Sequence, residues 1–221
     1  MAKVYLSPSD QESNVYAYDN TNEAVQCGRI AEACRAALER SGVEVKVGHM
    51  ISMAQKCSES NAFGADLHVP IHTNAFNGKV MGTRMFCYSA GGKGMAACKA
   101  IFARLAPITP GESENIQVNA DYYEVRVPAA PTAYIECEFH DTVEGAKWIV
   151  ENTVLIGETI ARGICDYFGV TFKEPEQPKP DDGATIYRVQ VGAYTKKENA
   201  ENMLAKLKKD GYNGFIVEGK L

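Results

Sequence analysis

The 221-residue sequence predicts an α/β fold followed by a small β-α-β appendage, and three observations carry that prediction. Short apolar or alternating runs read as strands, and between them lie stretches with apolar residues every three or four positions, the alternation an α/β sheet requires. A hydrophobic content of 45% over this length supports one ordinary core rather than two full-sized ones. Lys173 to Gly183, KEPEQPKPDDG, then breaks the composition: Pro175, Pro178 and Pro180 forbid a helix or a central strand, so the segment reads as an extended linker.

The elements follow in order. Residues 3–7 (KVYLS) form a first strand, and a polar loop, SPSDQESNVYAYDNTN, leads to a helix opening near Glu23. Cys27, Ile30, Ala31, Cys34 and Leu38 give that helix one apolar face, and Gly42 ends it. Val43, Val45 and Val47 alternate as a strand, a short helix covers 51–63, and ADLHVPIH (65–72) is a buried strand running into the loop TNAFNG. GTRMFCYS (82–89) is a further strand, Met95 to Leu105 a helix, TAYIECEF (132–139) a strand, and two helices close the domain over 141–168. Beyond the linker, TIYRVQVGAY reads as a strand. Thr195 and Glu198 have capping-box spacing before a helix carrying Ala200, Met203, Leu204 and Leu207 on one side, and GFIVEG supplies a last strand.

Composition excludes several classes of function. With 23 Lys and Arg against 28 Asp and Glu, a formal charge of -5, the chain lacks the basic excess that drives binding to nucleic acid or anionic lipid. The exclusion is weaker for residues 184–221, which hold seven basic against four acidic side chains. No apolar run nears the roughly 20 residues of a membrane span. The opening MAKVYLSPSD has neither the basic nor the apolar region of a signal peptide, so cytoplasmic synthesis is expected. The seven cysteines never fall at C-x-x-C spacing, which argues against a disulfide framework or a structural zinc cluster and for thiols packed as small hydrophobes. GGKG at 91–94 lacks the rest of a P-loop and reads as a flexible helix entry.

Chemistry in an α/β sheet gathers at the carboxyl ends of the strands. His72 ends ADLHVPIH, Glu136 and Glu138 end TAYIECEF, and Glu23 opens the helix after the first strand's loop. An imidazole and a carboxylate suit zinc, and a further carboxylate is what an activated water needs as its base. The bland alternative stays open: Glu23 as a first-turn carboxylate favoured by the helix dipole, His72 as a hydrogen-bonded loop histidine. His68 precedes His72 by four strand residues, about 13 Å, too far to share one metal with it. It reads as a core or supporting group, His49 takes no role, and His140 is a candidate for the site rim.

In the order and spacing of these phrases, residues 1 to about 172 resemble the zinc-dependent N-acetylmuramoyl-L-alanine amidases of the type 3 class, in a form seen in lysins of phages and prophages. The landmarks are the strand leading to a Ser-Pro turn, the helix-opening Glu23, ADLHVPIHTNAFNG, and P-T-A-Y-I-E-x-E-F-H. The resemblance implies a three-layer mixed or parallel sheet with helices on both faces, Glu23 and His72 as zinc ligands, and Glu136 as the catalytic carboxylate. Asn74 is expected to orient the His72 loop or to touch substrate, with Glu138 as a second substrate-side or supporting carboxylate. The family's first ligand is a loop histidine, and Ser7 to Asn14 contains none. Asp10 holds the place a P-G-H turn would give it, Ser13 the place of a Q-E-H-N variant, and Asp10 is the expected replacement, ahead of Glu12. The tail resembles the first half of a SPOR domain, a module that binds glycan strands stripped of stem peptides. It implies peptidoglycan as partner and, because half a module buries little, docking or homodimerisation through that half.

The expected activity is cleavage of the amide between N-acetylmuramic acid and the L-alanine of the stem peptide, as in endolysins and autolysins, after release through a holin or by cell lysis. The missing histidine supports a rival, an inactive amidase fold that only binds the wall. A deacylase of other small amides ranks third.

Overall fold

The computed structural model describes residues 1–114, 116–175, 189–209, 212 and 214–219. They belong to two compact units, Met1–Pro175 and Glu176–Leu221. In the first, six strands stand in the order β2-β1-β3-β6-β4-β5. They are β1 (Lys3–Pro8), β2 (Glu44–Val47), β3 (Leu67–Asn74), β4 (Arg84–Cys87), β5 (Gln117–Val118) and β6 (Tyr134–Phe139). All neighbouring pairs run parallel except β4 with β6, so the sheet is mixed. The expected three-layer α/β architecture is the one observed.

Strand alternation sorts the side chains by face. Val4, Leu6, Leu67, Val69, Ile71, Met85, Cys87, Ile135 and Cys137 belong to one buried apolar cluster. Helices α1 (Glu23–Arg40), α3 (Lys93–Leu105) and α6 (Thr153–Phe168) complete it with Cys27, Ile30, Cys34, Ile101, Ile156, Ile160 and Ile164. Gly157 lets α6 approach α1, since a Cβ there would stand 2.5 Å from the Ile30 carbonyl oxygen. Cys27, Cys34, Cys98 and Cys165 are buried free thiols, as their helical spacing predicts. α5 (Val143–Glu151) follows β6.

The opposite parity puts Tyr5, Ser7, His68, His72, Tyr134, Glu136 and Glu138 on the other face, which α2 (Met53–Phe63) and the single turn α4 (Tyr123–Arg126) help to cover. This face is buried and polar, and it holds the candidate chemistry. The strand β5 and the turn α4 escape the sequence reading because 106–131 shows neither periodicity. The segment Val170–Pro175 stays with the first unit: Lys173 N–H donates to Ser41, Arg162 pairs with Glu174, and the Arg162 guanidinium lies 4.0 Å from the Phe172 ring centre.

In the second unit, α7 (Lys197–Lys209) forms where a helix is predicted. The described parts of the two predicted flanking strands, 189–194 and 214–219, are not strands. Val189, Val191, Phe215 and Val217 stand largely exposed, so among the described residues no sheet face gathers their apolar side chains. The central linker, the start of the first of these strands and Gly211 lie outside the described residues.

Candidate functional site

The carboxyl ends of β1, β3 and β6 meet at one edge of the sheet, where His72 and Glu136 are register partners on neighbouring strands. α1 begins just above them because Asn22 caps it, accepting the Val25 N–H, and this sets Glu23 in the first turn. The Glu23 carboxylate turns inward. Its Oε1 lies 2.9 Å from His72 Nδ1 and 3.3 Å from the Thr73 amide, and its Oε2 accepts from the Asn14 side-chain amide at 2.6 Å. A carboxylate only accepts, so the proton of the Glu23–His72 bond sits on His72 Nδ1. The imidazole lies flat on Tyr134, ring centres 4.7 Å apart, and Tyr134 packs against Tyr122 and Phe86. Stacking and hydrogen bond fix the ring's plane and rotation together.

The electrostatics separate the two carboxylates. Burial pushes Glu23 up, but its bonds to His72 and Asn14 outweigh that and hold it below the usual carboxylate range. His72 rises because the Glu23 and Glu136 charges overcome the burial that would lower it. Burial drives Glu136 up to about 8, with Glu23 adding to the rise and His72 opposing it. Glu136 Oε2 is buried without a hydrogen-bond partner among the described residues. The site therefore has an ionised carboxylate paired to an imidazole, and beside them a carboxyl held neutral with one oxygen unused. That division is the one acid and base work requires.

The sequence profile described as N-acetylmuramoyl-L-alanine amidase matches residues 9–166. The chain belongs to that family. A SPOR-domain profile matches residues 169–218, beginning earlier than the expected start at 184. Curated relatives include the N-acetylmuramoyl-L-alanine amidase CwlM of Bacillus licheniformis and the sporulation-specific N-acetylmuramoyl-L-alanine amidase of Bacillus subtilis (strain 168). Each is 23% identical over 98% of this chain and 85% of its own length. Among solved structures, the catalytic domain of the amidase CwlV from Bacillus (Paenibacillus) polymyxa var. colistinus superposes with a TM-score of 0.69 at 16% identity, covering 77% of this chain and 100% of that one.

The site brings Glu23, His72 and Glu136 together and leaves Asp10 and Glu138 out. Asp10 is diverted: its Oδ2 pairs with the buried ammonium of Lys56 at 2.7 Å, and its oxygens accept the amides of Met50 and Ile51. Those bonds tie the loop after β1 to the start of α2 and use both Asp10 oxygens. Glu138 is fully buried, so it cannot meet substrate; its Oε1 accepts the Gly82 and Phe139 amides, and burial raises it to about 7 despite them. Gly82 has a φ of +114°, which leaves this bend to glycine. Asn74 accepts the next amide, Ala75 N–H, and its carbonyl receives the His140 N–H, so it shapes the loop after His72.

Of the other histidines, His140 is buried, bonded to Thr73 Oγ1 and stacked on Tyr16, behind the site rather than on its rim. His49 sits 3.7 Å from Asp10, and His68 faces Glu124. Ser13 and Glu12 are exposed. What the loop does offer the site is Gln11, whose side-chain amide lies 3.4 Å from His72 Nδ1 and holds Asn14 through Oε1. Gln11 and Tyr134 were missed, although Tyr134 shares strand parity with Glu136 and so was findable. Zinc fits this donor set in chemistry and spacing. Tetrahedral ligands at about 2.0 Å stand roughly 3.3 Å apart, and the Glu23 and His72 donor atoms are already 2.9 Å apart with only a proton between them.

Proposed function

We propose that the chain hydrolyses the amide between the lactyl group of N-acetylmuramic acid and the L-alanine of the peptidoglycan stem peptide. The observation that carries this is the register pairing of His72 with Glu136, a buried carboxyl with a free oxygen beside an imidazole–carboxylate pair. Family membership and the curated relatives support the substrate class. Glu23 and His72 would hold zinc, which when bound supplies a Lewis acid for the amide carbonyl and for an attacking water. Glu136, ionised once a bound dication opposes its burial, would take the attacking water's proton on its free oxygen and deliver it to the departing L-alanine amine. Its high pKa suits the second half of that task, since a carboxyl that keeps its proton near neutrality is a competent donor. Tyr134 keeps the His72 ring from rotating, and Asn14 and Gln11 hold Glu23 and the loop. Two protein ligands bind zinc less tightly than the usual three.

The SPOR-like tail would carry the chain to glycan strands, and its exposed Val189, Val191, Phe215 and Val217 offer a surface for glycan or for a second copy. The reading places the protein at the cell wall after holin-type release or lysis, as an endolysin or autolysin. The loop without histidine favours a second reading, a wall-binding protein that does not hydrolyse. Incubating purified peptidoglycan with wild type and Glu136→Gln, with and without chelator, separates the two. New amino groups that depend on both the metal and Glu136 support hydrolysis, and none under any metal supports binding alone.

A further inference from the structure

A second polar cluster lies on the same sheet face, about four strand residues or 13 Å along β3 from His72. It is assembled from three elements far apart in sequence: Cys57 on α2, His68 on β3 and Glu124 on α4. One ligand atom from each lies within 4.8 Å of the others, and all three residues are buried. Glu124 Oε1 is 3.2 Å from His68 Nε2 and also accepts from Ser7. The His68 ring is fully buried and stacked on Tyr5, yet its Nδ1 has no partner among the described residues. In the metal-free chain Nε2–H donates to Glu124, and a metal on Nε2 moves the ring proton to Nδ1.

We propose that Cys57, His68 and Glu124 form a structural metal site for a thiophilic dication, zinc by preference, separate from the Glu23–His72 pair. The donor set is sulfur, nitrogen and oxygen, the combination zinc accepts. Ligands around tetrahedral zinc stand about 3.3–3.6 Å apart, so the cluster needs to contract by about 1 Å, and the Nε2–Oε1 pair is already at that spacing. The charges close as well. Binding displaces the Cys57 thiol proton to solvent, and a thiolate, a carboxylate and a dication sum to zero, which suits a site without exposed surface. Ser7 or a water takes the fourth position. The three ligands would pin α2 and α4 to β3. α4 starts immediately after Tyr122, which leans on Tyr134 and so on the wall behind His72. The absence of C-x-x-C spacing hid the cluster, because its members meet only in space.

Cobalt reports the site directly. The full-length chain, stripped with chelator and dialysed against Co2+, is expected to develop a thiolate-to-cobalt charge-transfer band. The band should vanish in Cys57→Ser, survive in His72→Ala, and require at least about tenfold more Co2+ in Glu124→Gln. Metal analysis should show Cys57→Ser holding one ion fewer per chain than wild type. Circular dichroism of the metal-free variants checks that they fold; should Cys57→Ser fail that check, Glu124→Gln decides. No band in wild type, a band that survives in Cys57→Ser, or Co2+ affinity unchanged in Glu124→Gln would reduce the cluster to a hydrogen-bonded network and overturn the proposal. None of these outcomes depends on the amidase reading, because the Glu23–His72 pair includes no thiol.

Discussion

Replacing Glu136 with glutamine is expected to abolish turnover and, in metal-free protein, to raise stability. In the folded chain burial holds the Glu136 carboxyl at about 8 against an ordinary 4.5, so folding favours its protonated form. The stability this group permits is complete below about pH 4.5 and is lost as pH rises through 8, because the unfolded chain releases the proton first. Each unit of separation weighs about 1.4 kcal/mol, which makes the cost at pH 7 on the order of 3 kcal/mol, falling to about 1 kcal/mol at pH 5. Glutamine keeps the shape and cannot ionise. Urea unfolding of chelated wild type and Glu136→Gln at pH 5 and pH 7 measures the difference. The variant should be the more stable by a few kcal/mol at pH 7, with most of that gain gone at pH 5. A variant no more stable than wild type at pH 7, or a gain independent of pH, would refute a buried, neutral Glu136.

The remaining predictions concern the groups around it. Glu23→Gln removes the charge that holds His72 and one of two zinc donors; bound zinc and hydrolysis should both fall by at least about 100-fold, read by metal analysis and amine release. Asp10→Ala leaves the buried Lys56 ammonium without its counter-ion and frees the amides of Met50 and Ile51. It should cost about 3 kcal/mol in urea unfolding while zinc content stays unchanged. Gly157→Ala drives a methyl group into the Ile30 carbonyl at the α1–α6 contact and should cost about 2 kcal/mol with the chemistry of the site intact.

What the sequence revealed follows from which interactions are periodic. The face of α1 and the parity of β3 and β6 repeat along the chain, so their buried sides, and with them His72 and Glu136 at the strand ends, are readable from the sequence alone. Glu23 was readable because capped helix starts have their own spacing. Asp10 was misassigned since counting along a loop ignores where its carboxylate finds a partner, and buried Lys56 was the stronger attraction. Glu138 shares parity with Glu136, but parity gives the face and not the depth: two residues further along, it turns to the amides of a glycine bend. Glu124 sits on a four-residue turn in a stretch with no pattern, and its partners His68 and Cys57 are more than fifty residues away. The flanking strands of α7 were predicted from alternation alone, yet alternation builds a strand only when something covers the apolar side, and Val189, Val191, Phe215 and Val217 remain exposed.

The central claim is that Glu136 and the Glu23–His72 pair cut the bond between sugar and stem peptide. Mass spectrometry of soluble fragments after digestion of purified peptidoglycan tests it most directly. The account predicts free stem peptides beginning with L-alanine alongside intact glycan carrying bare lactyl groups, from wild type and not from Glu136→Gln. Fragments cleaved within the glycan or within the peptide, or lactyl–alanine cleavage that persists in Glu136→Gln, would contradict it.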